Sequence, residues 1–182
     1  LSRTDNGGKT QTVTARSGRA PVTEQATRII LKAEHLGTNA QEPSEGPIAN
    51  LIDGNTATFF HTAWSVAIPG PHWLQIRLPE ALTEGHWKFW YAPRNNGRQK
   101  PTDFDILVST GGSDWTLVKK FTKDEDGLPV TATDAYTSPN LPVTQPFDHI
   151  RMVVNAVNSG EVFFTMSEFR LWQVKVVDPE AE

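Results

Sequence analysis

The chain contains no cysteine. Disulfides, cysteine–zinc sites and thiol catalysis are therefore excluded. No apolar run approaches the roughly 18 residues of a membrane-spanning helix. Leu1-Ser-Arg-Thr is not followed by the apolar stretch of a signal peptide, so none is expected here, and the start without Met leaves export open. Basic charge is in short supply: 17 Lys and Arg stand against 21 Asp and Glu, a formal net charge of −4. That balance disfavours nucleic acid and anionic lipid as main partners, since both reward a basic surface. No stretch keeps a capped 3.6-residue apolar period, so long helices are not expected. No internal repeat suggests a solenoid. The Gly-x-Ser-x-Gly elbow, the His-Glu-x-x-His zinc pair and the Gly-rich phosphate loop are all missing. Asp103 and Asp105 share one face of a strand, and a carboxylate pair can cleave a glycosidic bond. Their neighbours read as a sheet edge rather than a cleft, so no enzyme activity is expected.

What is present points to strands. The 182 residues suffice for one domain with a real core, and 37% are hydrophobic. Thirteen Gly and thirteen Pro imply many turns, favouring short strands joined by loops. Residues 1–27 are polar and read as a flexible leader or a linker from a preceding module. A first strand is expected at Arg28–Ala33. In His72–Leu78, Trp73, Gln75 and Arg77 face one way while His72, Leu74, Ile76 and Leu78 face the other. Trp87, Phe89 and Tyr91 share one face of a second alternating run. Phe104, Ile106 and Val108 mark a third, joined through Thr110-Gly-Gly-Ser-Asp114 to an answering strand at Trp115–Phe121 as a hairpin. Lys123–Pro146 is long and polar, with Tyr136 and Phe147 as anchors. Strands follow at His149–Val157 and Phe169–Val177, and 178–182 form a tail. This spacing predicts an all-β sandwich of two antiparallel sheets, a jelly roll.

The stretch Asn50–Trp64 concentrates the chemistry. Asp53-Gly54-Asn55 is a turn signal, because Gly tolerates positive φ and Asp and Asn bond back to local backbone. Such a turn points carbonyls inward beside the Asp53 carboxylate, and hard oxygens in a concave loop suit Ca²⁺. Read alone, Asp53 equally caps a turn. His61 and Trp64 offer a hydrogen-bonding ring beside a flat apolar face, a pairing that suits a sugar. Alternatives stay open: Trp64 as a core residue, His61 as a satisfied structural histidine, Arg94 as the partner of Asp103 or Asp105.

Five motifs in order carry a resemblance. Ile52-Asp-Gly-Asn-x-x-Thr-Phe-Phe-His-Thr-x-Trp64, Pro71-His-Trp-Leu-Gln-Ile-Arg-Leu78, Tyr91-Ala-Pro-Arg94, Phe104–Trp115 and Ser167-Glu-Phe-Arg-Leu171 together resemble the discoidin-like domains. These coagulation-factor C-type domains include the family-32 carbohydrate-binding modules. The resemblance spans 28–177 and implies an eight-stranded antiparallel jelly-roll β-sandwich of the galactose-binding-domain-like kind. Arg77 stands where the family often has Asp, and Phe60 where Trp is common. The missing disulfide points to the bacterial glycan-binding branch and away from membrane insertion.

The resemblance implies a structural Ca²⁺. Asp53 and Glu168 would supply carboxylates, Asn50, Asn55 and Ser167 main-chain carbonyls, and Thr58 its carbonyl and hydroxyl. It also maps a sugar site onto His61, Trp64, Arg94 and an amide from Asn95 or Asn96, with Gln99 as a fallback and Phe163 as a second apolar wall. The implied function is non-catalytic recognition of terminal sugars, of galactose or N-acetylhexosamine type. The module would target a larger exported protein to glycans, in a secreted, cell-surface or periplasmic setting. The alternative is a structural or protein-adhesion spacer that keeps the fold without the sugar site.

Overall fold

The computed structural model describes residues 23–131 and 134–177, together with two short strands near the start, β1 (Ser2–Thr4) and β2 (Thr10–Thr12). The chain divides into two units, Leu1–Gln25 with Val176–Glu182, and Ala26–Lys175. In the first, β1 and β2 pair antiparallel, with Ser2 opposite Thr12. Of the expected leader 1–27, residues 23–27 lie in a strand, whereas residues 1, 5–9 and 13–22, like the tail 178–182, lie outside the described residues.

The second unit carries the architecture. Its strands are β3 (Thr23–Ile29, within the unit from Ala26), β4 (Leu36–Thr38), β5 (Phe60–His61), β6 (His72–Leu82), β7 (His86–Ala92), β8 (Pro101–Ser109) and β9 (Thr116–Thr122). They continue with β10 (Tyr136–Thr137), β11 (Leu141–Pro142), β12 (Phe147–Val157), β13 (Thr165–Met166) and β14 (Glu168–Val177, within the unit as far as Lys175). One sheet runs β4-β6-β12-β8-β9. The other runs β10-β7-β14-β3, with β11 also paired to β7. β5 and β13 form a small separate pair. Helical structure among the described residues is slight: 3₁₀ turns at Ala33–His35 and Ile48–Ile52, and the four-residue α1 (Lys123–Asp126).

The alternation read from the sequence is the alternation of burial. Leu74, Ile76 and Leu78 of β6 face inward beside Phe104, Ile106 and Val108 of β8 and Ile150, Met152 and Val154 of β12. Trp87, Phe89 and Tyr91 face them from β7. Phe89 is the keystone, its ring 6.1 Å from Phe104, 5.4 Å from Phe121 and 5.9 Å from Phe169. Edge-to-face and offset geometries at such separations add to the stabilisation from burial alone. The anchors expected in the long polar segment, Tyr136 and Phe147, are both buried. The outward side of β6 and β12 is arranged as well: the Arg151 guanidinium lies 4.2 Å from the Trp73 ring and 3.9 Å from the Trp115 ring.

The first strand departs from expectation. It occupies Thr23–Ile29 rather than Arg28–Ala33, and the chain forms a 3₁₀ turn at Ala33–His35. β3 lies at the end of its sheet and is exposed along nearly its whole length, so its polar residues carry no periodic signal, and they suit an edge that must not recruit another chain.

Phe89→Ala should destabilise the domain by about 3–5 kcal/mol. Urea unfolding would register this as a lower midpoint at an unchanged slope, and a loss under about 1 kcal/mol would remove Phe89 from its central role.

Candidate functional site

Two carboxylates meet at the Asp53 turn. The 3₁₀ turn Ile48–Ile52 buries Leu51 and delivers Asp53, after which Gly54 takes φ +78°. Asp53 Oδ1 accepts from the Asn55 amide at 2.8 Å and Oδ2 from the Thr58 hydroxyl at 2.7 Å. That hydroxyl lies equally close to the Asn55 carbonyl. From the last strand, Glu168 reaches back so that Oε1 accepts from the Gly54 amide at 2.6 Å. Glu168 is buried, and its Oε2 has no hydrogen-bond partner among the described residues. Arg170 Nε is 3.6 Å from that oxygen. The Thr58 hydrogen bond holds the Asp53 carboxyl below its usual range, whereas burial and the facing Asp53 push Glu168 upward.

An orphaned buried carboxylate oxygen beside a second carboxylate and turn carbonyls is a hard, oxygen-only donor set, which fits Ca²⁺. The structure thus gathers Asp53, Asn55, Thr58 and Glu168. Asn50 lies in the 3₁₀ turn leading to Asp53 and directs its side-chain amide to the Phe59 carbonyl at 2.9 Å. Ser167 is buried next to Glu168, its amide on the Ala92 carbonyl.

The loops leaving β5 form a second grouping. His61 is 2% exposed, whereas Trp64 is 50% exposed, so Trp64 is no core residue. Their ring centroids are 6.4 Å apart, and Phe163 lies 5.8 Å from His61. His61 Nδ1 is 2.6 Å from the Thr62 carbonyl, which makes Nδ1 the protonated nitrogen and leaves Nε2 as an acceptor. Burial holds the His61 pKa below its usual value, favouring the neutral ring. Nε2 faces Glu45 Oε1 at 3.9 Å, and the same oxygen accepts from the Trp64 indole at 3.0 Å. Arg94 stacks on Phe59 with its guanidinium carbon 3.5 Å from the ring centre, and neither Asp103 nor Asp105 is its partner: Asp103 accepts from Asn155 and Asp105 faces Lys120. The Arg94 carbonyl accepts from Lys100, a fully buried amine, at 2.6 Å.

A buried carboxylate sets the Trp64 backbone. Glu42 accepts from the Trp64 and Ser65 amides, each at 2.9 Å, from the Ser44 amide at 3.1 Å, and from the Ser44 and Ser65 hydroxyls, each at 2.6 Å. Burial opposes its charge, but the Ser44 and Ser65 hydroxyls and the Ser65 and Trp64 amides outweigh it and hold the carboxyl far below the usual range. The indole is thereby presented to solvent from a fixed turn.

His61, Trp64, Arg94 and Phe163 are therefore brought into one neighbourhood. Asn96 is half-buried in the turn after Arg94, its Oδ1 accepting from the Arg98 amide. Asn95 is exposed and borders a separate hollow beside Thr56, Ala57 and Trp90. Gln99 sits at φ +61°. Sequence reasoning missed Phe59 and Glu45. Phe59 lies just before β5, whose two residues are both buried, so no alternation marked it. Glu45 lies in an aperiodic loop, and nothing local marks its reach to residue 64.

The F5/8 type C domain model matches residues 35–169. The chain belongs to this family. A sialidase from Micromonospora viridifaciens is 27% identical over 176 residues, covering 93% of this chain and 24% of the sialidase. An A type blood N-acetyl-alpha-D-galactosamine deacetylase from Flavonifractor plautii is 30% identical over 89 residues, 42% of this chain and 11% of that protein. The chain thus spans a quarter or less of these relatives. The family-32 module of Clostridium perfringens NanJ, solved with galactose, superposes with a TM-score of 0.60 at 20% identity, covering 82% of this chain and all of that one. A second Clostridium perfringens family-32 module, solved with GalNAc-beta-1,3-galactose, gives 0.61 at 18% identity, with 81% and 94% covered. The fold of this F5/8 type C domain is accordingly the galactose-binding-like sandwich.

Because the Glu42 pKa is depressed in the folded protein, its contribution to stability is complete above its ordinary value of 4.5 and is lost as pH falls below it. Glu42→Gln should lower the melting temperature at neutral pH and flatten its decline below pH 4.5 relative to wild type. Parallel acid-dependent melts that decline equally in both proteins would contradict this.

Proposed function

We propose that this domain is a non-catalytic carbohydrate-binding module whose site is the loop cluster around Trp64. One observation carries the reading: a half-exposed indole stands beside a buried neutral imidazole, with the Glu45 carboxylate facing both. The indole face suits the C–H face of a pyranose. His61 Nε2 and Glu45 Oε1 are acceptors 3.9 Å apart, so a sugar hydroxyl reaching them finds acceptors, with the Trp64 indole N–H already donating to Oε1. Arg94, fixed on Phe59, adds a planar fork of donors for neighbouring hydroxyl oxygens. Terminal galactose or N-acetylhexosamine is the class favoured, in keeping with the galactose and GalNAc-beta-1,3-galactose bound by the two Clostridium modules. Targeting of a larger exported protein to glycans follows from the same reading. Among the described residues no helix is long and apolar enough to cross a membrane.

The same proposal includes a structural Ca²⁺ held by Asp53, Glu168, Thr58 and the carbonyls of Asn50, Asn55 and Ser167. The orphaned Glu168 oxygen supports it. The ion would supply positive charge between two carboxylates and take no part in chemistry.

Trp64→Ala and Arg94→Ala should each weaken binding of galactose or N-acetylgalactosamine at least tenfold, about 1.4 kcal/mol, with little change in melting temperature. Titration calorimetry tests this, and full affinity in both variants would refute the placement.

Calcium at about a hundredfold its dissociation constant should stabilise the domain by roughly 2.7 kcal/mol. Asp53→Asn should diminish that gain. Since Glu168 is raised above 4.5, protons compete with the ion as pH falls through its elevated pKa, so the calcium-dependent shift in melting temperature should shrink between neutral pH and 4.5. Melts with calcium and with chelator across that range check it. A shift that is absent at neutral pH, or constant with pH, would count against the site.

A further inference from the structure

Beside the loop cluster lies a hollow of about 490 Å³ lined by Gly70, Pro71, Asn155, Val157, Glu161 and Val162. That size falls within the roughly 300–1,000 Å³ of small-ligand sites. We propose that this hollow is a second subsite of one groove and takes the neighbouring residue of a neutral oligosaccharide whose terminal sugar sits at Trp64. The inference rests on the sugar-site reading and extends it.

Both walls of the hollow run directly out of the first site. On one side, the loop leaving Trp64 returns at Gly70 and Pro71, tied down where His72 Nε2 meets the Ile68 carbonyl at 3.0 Å and where Asn39 donates to the Pro71 carbonyl at 3.1 Å. On the other, Phe163 packs on His61, and the preceding residue, Val162, lines the hollow. Val162 and Phe163 are chain neighbours, so one short segment serves both the hollow and the first site. A Cβ on Gly70 would stand 3.5 Å from Val162 Cβ, so the two walls approach within ordinary contact there.

The lining has the mixture a sugar needs. Val157, Pro71 and the 58% exposed Val162 give apolar surface for ring C–H groups. Asn155 donates to Asp103, leaving its own carbonyl oxygen as an acceptor. Glu161 adds a carboxylate, paired with the Arg98 guanidinium at the rim. The pair nets to zero charge. Among the described residues no Lys or Arg lines the hollow itself, so this subsite offers an acidic sugar no cation and takes a neutral residue. Rigidity comes from behind: Asn158 bonds the Lys100 amide and the Gly97 carbonyl through its side chain, and the Gln99 amide donates to Ser159. The loop bearing Val162 is thus locked to the loop bearing Arg94.

Titration calorimetry of the intact domain with galactose, N-acetylgalactosamine and GalNAc-beta-1,3-galactose tests the proposal. Wild type should bind the disaccharide at least about tenfold more tightly than either monosaccharide. Gly70→Leu, which fills the hollow, should erase that gain and leave monosaccharide affinity unchanged. Val162→Asp, at an exposed position, should do the same by replacing an apolar wall with charge, and covers the case in which Gly70→Leu fails to fold. Equal wild-type affinity for disaccharide and monosaccharide, or variants that keep the full gain, would overturn the second subsite alone. Failure of wild type to bind any of the three would defeat the sugar-site reading and this one with it.

Discussion

The structure depends on the meeting of two sheets across a shared aromatic interior. Phe89 projects from one sheet into a cage of rings supplied by both, and its neighbours Trp87 and Tyr91 repeat the arrangement along β7. Such rings bury large apolar areas and admit few packings. The strand ends, and hence the loops, inherit their positions from that interlock. A site on loops gains its geometry from the scaffold below it, and here the scaffold is a wall of interdigitated aromatics.

Two buried glutamates then do opposite things with the loops. Glu42 is saturated by donors, so its charge is solvated by protein and its turn is rigid. Glu168 is half-satisfied: one oxygen is bound to Gly54, and the other, beside Asp53, makes no hydrogen bond among the described residues, with the Arg170 guanidinium 3.6 Å away. A buried acceptor without a donor is costly. The difference separates a carboxylate that finishes a fold from one whose environment invites a cation. The displacement of their pKa values in opposite directions is the electrostatic form of the same contrast.

The sequence disclosed whatever depends on local period. Residues alternating in β6, β7 and β8 had to present one face to a core, and Asp53-Gly54-Asn55 had to turn. It did not disclose what depends on where an edge lies or on which distant loop meets which. β3 is polar because it closes a sheet, and polarity without period looks like linker. Trp64 could be placed inside or outside only once Glu42 was seen to hold its turn. Glu45 acquires meaning solely through the approach of a loop 19 residues later. The family resemblance supplied the neighbourhood of His61, Trp64, Arg94 and Phe163. It did not supply Phe59, which anchors the arginine.

The hydrogen bond from Gly54 to Glu168 spans 114 residues of chain. Closing so long a loop is entropically expensive and contributes nothing until nearly all intervening strands are in place. A polypeptide still emerging from the ribosome lacks its acceptor until the final strand is synthesised. A chain cut short of residue 168 would therefore leave the Asp53 turn without its far anchor.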